Sequence, residues 1–184
     1  MTKLIKGRRL QSDTWQLLDR DVERWLTVGE AGLVPDFPAV ADLIVPLKLW
    51  RLRRDDLLHR EGRTGVRLES GEGPEALADD LDRVALIAVH FPKFSDGRGF
   101  STARLLRERY GFKGELRAIG DVLRDQLLFL VRCGFDAFAL RDDQDAEAAL
   151  AAFDDFTEAY QGGVDQPLPL FRRRLAAPAA APTS

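Results

Sequence analysis

The sequence predicts an α/β protein, with a mostly parallel sheet built from about four consecutive βα units behind an irregular extension that contains short strands. Three observations carry this. Apolar runs starting near Val66, Leu86, Leu116 and Ala137 are each followed by a helix-like stretch at the spacing of βα units, which makes parallel strands joined by right-handed crossovers. Residues 84–89 form an unbroken aliphatic run, the pattern of a strand covered on both faces by helices. At 184 residues the chain suits one core with appendages and is too short for a complete (β/α)₈ barrel, which needs roughly 250 residues. Four units make half a barrel or a small open sheet, and the residues leave both open.

Residues 1–40 read as the extension. Leu4-Ile5 and Trp15-Gln16-Leu17-Leu18 suit a short hairpin or edge ribbon, after which Gly29, Gly32, Pro35 and Pro38 leave mostly loop around a single helical turn. The α/β domain is expected over residues 41–161. Its first strand, Leu43-Ile44-Val45-Pro46-Leu47, contains a proline that confines it to a sheet edge or ends it. Residues 48–60 suit a helix whose Arg51, Arg53, Arg54, Asp55 and Asp56 make a solvated face. A strand at 64–68 precedes a helix at 75–82, with Pro74 in its first turn. The helix at 101–110 presents Ala103, Leu106 and Tyr110 on one face and stops at Gly111 and Gly114.

Residues 115–119 form the next strand, and Asp121 is placed to cap a helix that runs through Cys133 and ends at Gly134. Residues 137–140 are a short strand. Residues 145–160 form an amphipathic helix with Ala146, Ala149, Leu150, Phe153, Phe156, Thr157 and Tyr160 on one face. Residues 162–184, with Arg172 to Arg174 and an Ala/Pro-rich end, read as a flexible tail, with Leu168, Leu170 and Phe171 as anchors should it dock a partner.

A formal net charge of −3 gives no general attraction to polyanions, so neither nucleic acid nor an anionic membrane is an expected partner. No window approaches the roughly 20 apolar residues of a membrane span, and the opening MTKLIKGRRLQSDTW has no apolar run behind its basic residues, so a cytoplasmic protein is expected. One cysteine, Cys133, excludes an internal disulfide and a four-thiolate cluster held by one chain, and two histidines exclude a His₃ site. No metal site is expected, and no flavin or nicotinamide signature identifies a cofactor. Gly71 to Ala76 matches G-x-G-x-x-A, but Glu69, Glu72 and Glu75 put negative charge where a pyrophosphate would lie.

Parallel sheets bind ligands outside the carboxyl ends of their strands, which nominates residues 90–101, 120–126 and 141–144. In the first, Gly97 and Gly99 allow close backbone approach, Ser101 suits the cap of the following helix, and Lys93, Ser95, Asp96, Arg98 and Arg104 add polar groups and charge. A small oxyanion or phosphate-bearing ligand is the guest this composition fits; a plain turn with solvated side chains uses the same residues. His90, at a strand end, is placed for general acid or base chemistry near Asp96 or Asp121, or for capping the core. Asp121, Arg124, Asp125 and Gln126 form a second polar cluster, in which Asp121 serves as helix cap or as catalyst. Arg117 on a strand is the least ordinary of these residues, because a buried guanidinium requires a carboxylate or an anionic ligand. Cys133 reads as an inert buried thiol.

The segments FPKFSDGRGFSTARLLRE, GELRAIGDVLRDQ and RCGFDAF resemble the signature region of an uncharacterised bacterial family catalogued as domain of unknown function 934, with a weaker likeness from about residue 41 to 160. Members of that family are labelled as oxidoreductases involved in sulfite reduction, from the position of their genes beside assimilatory sulfite reductase. The resemblance implies a process rather than a reaction, and it carries no catalytic residues. It implies an accessory of sulfate or sulfite assimilation: an electron-transfer component with a noncovalent cofactor, an oxyanion binder, or a scaffold for sulfite reductase. The alternative is a small α/β enzyme using His90 or Asp121 on a phosphorylated or carboxylated metabolite. A homodimer is compatible with four βα units paired across a two-fold axis.

Overall fold

The computed structural model describes residues 3–18, 22–26, 36–156 and 158–176. The chain opens with a hairpin, β1 (Lys3–Lys6) and β2 (Arg9–Ser12). Gly7 and Arg8 both have positive φ at its two-residue turn, the backbone that matches strand twist in a tight hairpin. A short strand, β3 (Gln16–Leu17), follows three residues later and pairs parallel with β4 (Leu43–Pro46). Pro46 ends β4 and opens α1 (Leu47–Leu52), continued by α2 (Arg54–His59). Then come β5 (Thr64–Leu68), β6 (Leu86–Phe91), α3 (Arg98–Glu108), β7 (Glu115–Gly120), α4 (Leu127–Cys133) and β8 (Ala137–Phe138). The described chain closes with α5 (Ala146–Ala149) and α6 (Leu170–Ala176).

The strands form one eight-stranded sheet in the order β2-β1-β8-β7-β6-β5-β4-β3. It is mixed but mostly parallel, with antiparallel pairing only where β1 meets β2 and β8. From β4 to β8 each strand lies beside its successor, and same-handed crossovers in that order put every connecting helix on one face. Two edges of the sheet, β2 and β3, are joined through only Asp13, Thr14 and Trp15. Ser12 and Gln16 can therefore be no more than about 14 Å apart, whereas a flat eight-stranded sheet is roughly 33 Å across. The sheet must curl, and it does so as an open half-barrel bridged by residues 13–15.

Alternation along the strands separates the faces. Val45, Val66, Leu68, Ile87, Val89, Leu116 and Phe138 point outward and pack with Trp50, Leu57, Leu106, Leu127 and Leu130 of the helices in the main core. Ile44, Leu86, Ala88 and Ile119 form a second, smaller cluster on the concave face, against which Trp15 packs. The run at 84–89 is thus covered by helices on one face only; the N-terminal segment covers the other.

The expected short hairpin is present at one edge of the sheet, and the extension also supplies β3 at the other. Several other sequence expectations are corrected. The helix at 75–82 shrinks to 3-10 turns at Pro74–Leu77. Ser101 lies inside α3, which starts at Arg98 behind Gly97, so it caps nothing. Asp121 does not cap either, because the next helical turn begins after Leu123. The helix expected over 145–160 is broken: Asp145 accepts hydrogen bonds from Glu147 and Ala148 N–H as a true cap, but α5 passes into 3-10 turns at Leu150–Asp154. Thr157, Gly29, Gly32, Pro35 and residues 177–184 lie outside the described residues, while Arg172 to Arg174 fall in α6.

Candidate functional site

The register of the central strands decides which side chains share the concave face. Arg67 pairs with Ala88, Ala88 with Arg117, and Arg117 with Ala137. Two arginines therefore flank one alanine in a single row, about 10 Å apart at their backbones. The small Ala88 and Ala137 leave room for both side chains to lie over the floor of the sheet. Both are buried, Arg67 at 5% and Arg117 at 1% exposure.

Burying a guanidinium is costly unless it is paired. Arg117 Nε donates to Glu115 Oε1 at 2.8 Å and its Nη1 to Asp13 Oδ2 at 2.8 Å. Glu115 also takes Lys6 at 2.7 Å, which ties β1 to β7. The other oxygen of Asp13 accepts the Trp15 N–H at 3.1 Å, and the Arg63 guanidinium lies 4.9 Å over the Trp15 ring. The bridge that closes the half-barrel is thereby anchored inside it.

Arg67 Nε lies 3.0 Å from Glu69 Oε1, and Glu69 Oε2 lies 2.8 Å from Nδ1 of His90. A carboxylate on one ring nitrogen orients the imidazole. Gly120 makes room for that ring. Its φ is +95°, and a Cβ there would stand 2.8 Å from His90 Cδ2. His90, Arg67 and Arg117 all line a cavity of about 800 Å³, together with Trp15, Leu17, Ile44, Ile119 and Leu140. At its rim Arg141 donates to Asp121 at 2.7 Å and to Asp143 at 2.6 Å, and this holds the Asp143 carboxyl down to about 2.

Of the residues nominated from sequence, His90, Arg117, Gly120, Arg141 and Asp142 line this cavity; Asp121 lies beside it, where its carboxylate joins the Phe94 N–H to Arg141. The loop at 95–101 is organised otherwise. Arg98 donates to Asp96 at 2.6 Å and to Ser70 Oγ at 3.0 Å, which holds the Asp96 carboxyl well below the usual carboxylate range. Lys93, Ser95 and Ser101 are exposed. Gly99 serves packing, since a Cβ there would meet the Phe91 ring at 2.6 Å. Gly97 precedes α3 as its boundary residue, and Arg104 pairs with Glu108 at 2.9 Å along that helix. Arg124 lies 3.3 Å from Asp155, Gln126 Nε2 donates to the Phe94 carbonyl at 3.1 Å, and Asp125 is exposed. Cys133 is buried, and burial pushes its thiol up.

Sequence reasoning missed Arg67, Glu69, Asp13 and Trp15. A signal existed for Arg67: it alternates with Val66 and Leu68 as Arg117 does with Leu116 and Ala118, so the same argument applies to both. Nothing local marks Asp13, whose partner is 104 positions away. Among the described residues, no group of three or more His, Cys, Asp or Glu is placed to hold a metal ion, and no helix is long and apolar enough to cross a membrane.

A family model described as bacterial protein of unknown function (DUF934) matches residues 65–171, more than half of the chain. The match includes Arg67, Glu69, His90 and Arg117 and stops short of the bridge. No curated protein and no solved structure matches.

Proposed function

This chain belongs to the DUF934 family of bacterial proteins, and from that premise we propose that it is an accessory of assimilatory sulfate or sulfite reduction that binds an oxyanion-bearing ligand inside the half-barrel. The single observation behind the binding reading is the row of two buried arginines, Arg67 and Arg117, lining one cavity on the concave face of the sheet. Planar guanidinium groups recognise oxyanions through paired N–H donors. Asp13 already presents a carboxylate to Arg117, which shows the kind of group this guanidinium accepts at the cavity. The pathway, the cytoplasmic setting, the work beside sulfite reductase and a role as an oxidoreductase component rest on the family resemblance, and the scaffold is read as about four βα units.

Calorimetry with sulfite, sulfate and phosphate tests the site. Binding that Arg67→Gln weakens at least tenfold and Arg98→Ala leaves intact supports it; binding that Arg67→Gln leaves unchanged refutes it. Deleting the gene and growing the strain on sulfate as sole sulfur source tests the pathway, and normal growth refutes it. One observation favours a second reading, a small enzyme acting on a phosphorylated or carboxylated metabolite: the Glu69-held His90 is built as proton-transfer groups are built.

A further inference from the structure

We infer that the cavity takes an organic acid, with its carboxylate or phosphate at the arginine row and a flat apolar body against the Trp15 wall, in preference to a bare inorganic oxyanion. The inference rests on the oxyanion reading of the site and deepens it.

Size is the first argument. A tetrahedral oxyanion displaces about three waters, roughly 90 Å³, whereas the cavity measures about 800 Å³ and falls in the range used for ligands of 300–1,000 Å³. An inorganic ion would leave most of the space to water lying against indole and aliphatic surface. The second argument is polarity. The lining mixes the charged or titratable Arg67, Arg117 and His90 with apolar surface from Trp15, Leu17, Ile44, Ile119 and Leu140. A guest that satisfies both has an anionic end and an apolar end.

The bridge supplies the third argument. Asp13 and Trp15 are two residues apart, and the Asp13 carboxylate both pairs with Arg117 and accepts the Trp15 N–H. Asp13 thus shows what Arg117 accepts, and Trp15, two residues further along, lines the same cavity. The Arg63 guanidinium lies 4.9 Å from the Trp15 ring centroid and helps to fix the indole, which lines the cavity.

The test is calorimetry on the full chain with phenyl phosphate and benzoate as organic probes, and with phosphate, sulfate and sulfite as inorganic ones. Phenyl phosphate is expected to bind at least tenfold more tightly than phosphate, and Trp15→Ala to narrow that gap. Leu17→Glu, at an exposed position that does not threaten folding, is expected to weaken the organic probes several-fold. Asp13→Asn is expected to tighten phenyl phosphate several-fold by removing the competing carboxylate. Inorganic anions that bind as tightly as their organic counterparts overturn this inference and leave the oxyanion reading standing. Absence of binding by every probe overturns both.

Discussion

Replacing Arg117 by methionine removes the group on which the half-barrel's closure depends. The side chain is 2% exposed, so the change leaves Asp13 and Glu115 facing each other across a site with 17% and 8% side-chain exposure. Removing one partner of a buried ion pair costs about 3–5 kcal/mol. Glu115 retains Lys6 at 2.7 Å, which places the expected loss at the lower end, about 3–4 kcal/mol. For a chain of this size that lowers the midpoint of thermal unfolding by roughly 6–16 °C. Much of the loss is the stranded Asp13 charge, so Asp13→Asn in the Arg117→Met background should restore part of it. A double-mutant cycle in urea is expected to return a coupling of about 1.5–3 kcal/mol between two residues 104 positions apart. Coupling below about 0.5 kcal/mol, the noise of additivity, would refute the claim that the bridge is anchored within the sheet.

Three further outcomes are expected. Gly120→Ala forces a side chain onto a φ of +95° and against the His90 ring; a loss of about 2 kcal/mol or more in urea unfolding, with a shifted His90 ring resonance, is the expected result. Asp80 is held low first by Arg54 and then by the Trp50 N–H, so its contribution is fully present above its ordinary value near 3.8 and is lost as pH falls through the lower folded value. Asp80→Asn should therefore cost about 1–3 kcal/mol at pH 7, with the gap to the parent protein closing below about pH 4. Cys133, 8% exposed and with its thiol pushed up by burial, should react with a thiol reagent at neutral pH far more slowly in the native protein than in urea.

The parts of the fold legible in the sequence are those governed by nearby residues. Outward Val66, Leu68, Ile87 and Val89 follow the period of a strand, Pro46 marks the end of β4, and Gly134 ends α4 with φ +104°. What was illegible depends on distant pairing. A two-residue strand such as β3 exists only because β4 is beside it, and the curl exists only because three residues must join β2 to β3. Composition also misled at residues 95–101, where Gly99 reads as a ligand-approach glycine but makes way for the Phe91 ring, and Arg98 is engaged by its neighbour Asp96. Arg117 was found because burial of a guanidinium is unusual whatever the fold.

The location of the cavity follows from the order of the strands. When successive strands lie side by side, their helices all fall on one face, and the opposite face must be covered by something else. A closed barrel fills that space with layers of large branched side chains. Here Ala88 lies between the two arginines and Ala137 beyond Arg117, with Ile44, Leu86 and Ile119 elsewhere on the floor, and the cover is a short bridge bearing Asp13 and Trp15. Gly65 has no room for more, since a Cβ there would meet Leu86 at 3.0 Å, but the alanines are a choice of volume that leaves the arginines and the cavity their space. Enlarging Ala139, which lines the cavity and is only partly buried, to leucine should therefore weaken ligand binding with little loss of stability; a variant that binds phenyl phosphate as the parent does would show that the ligand lies elsewhere.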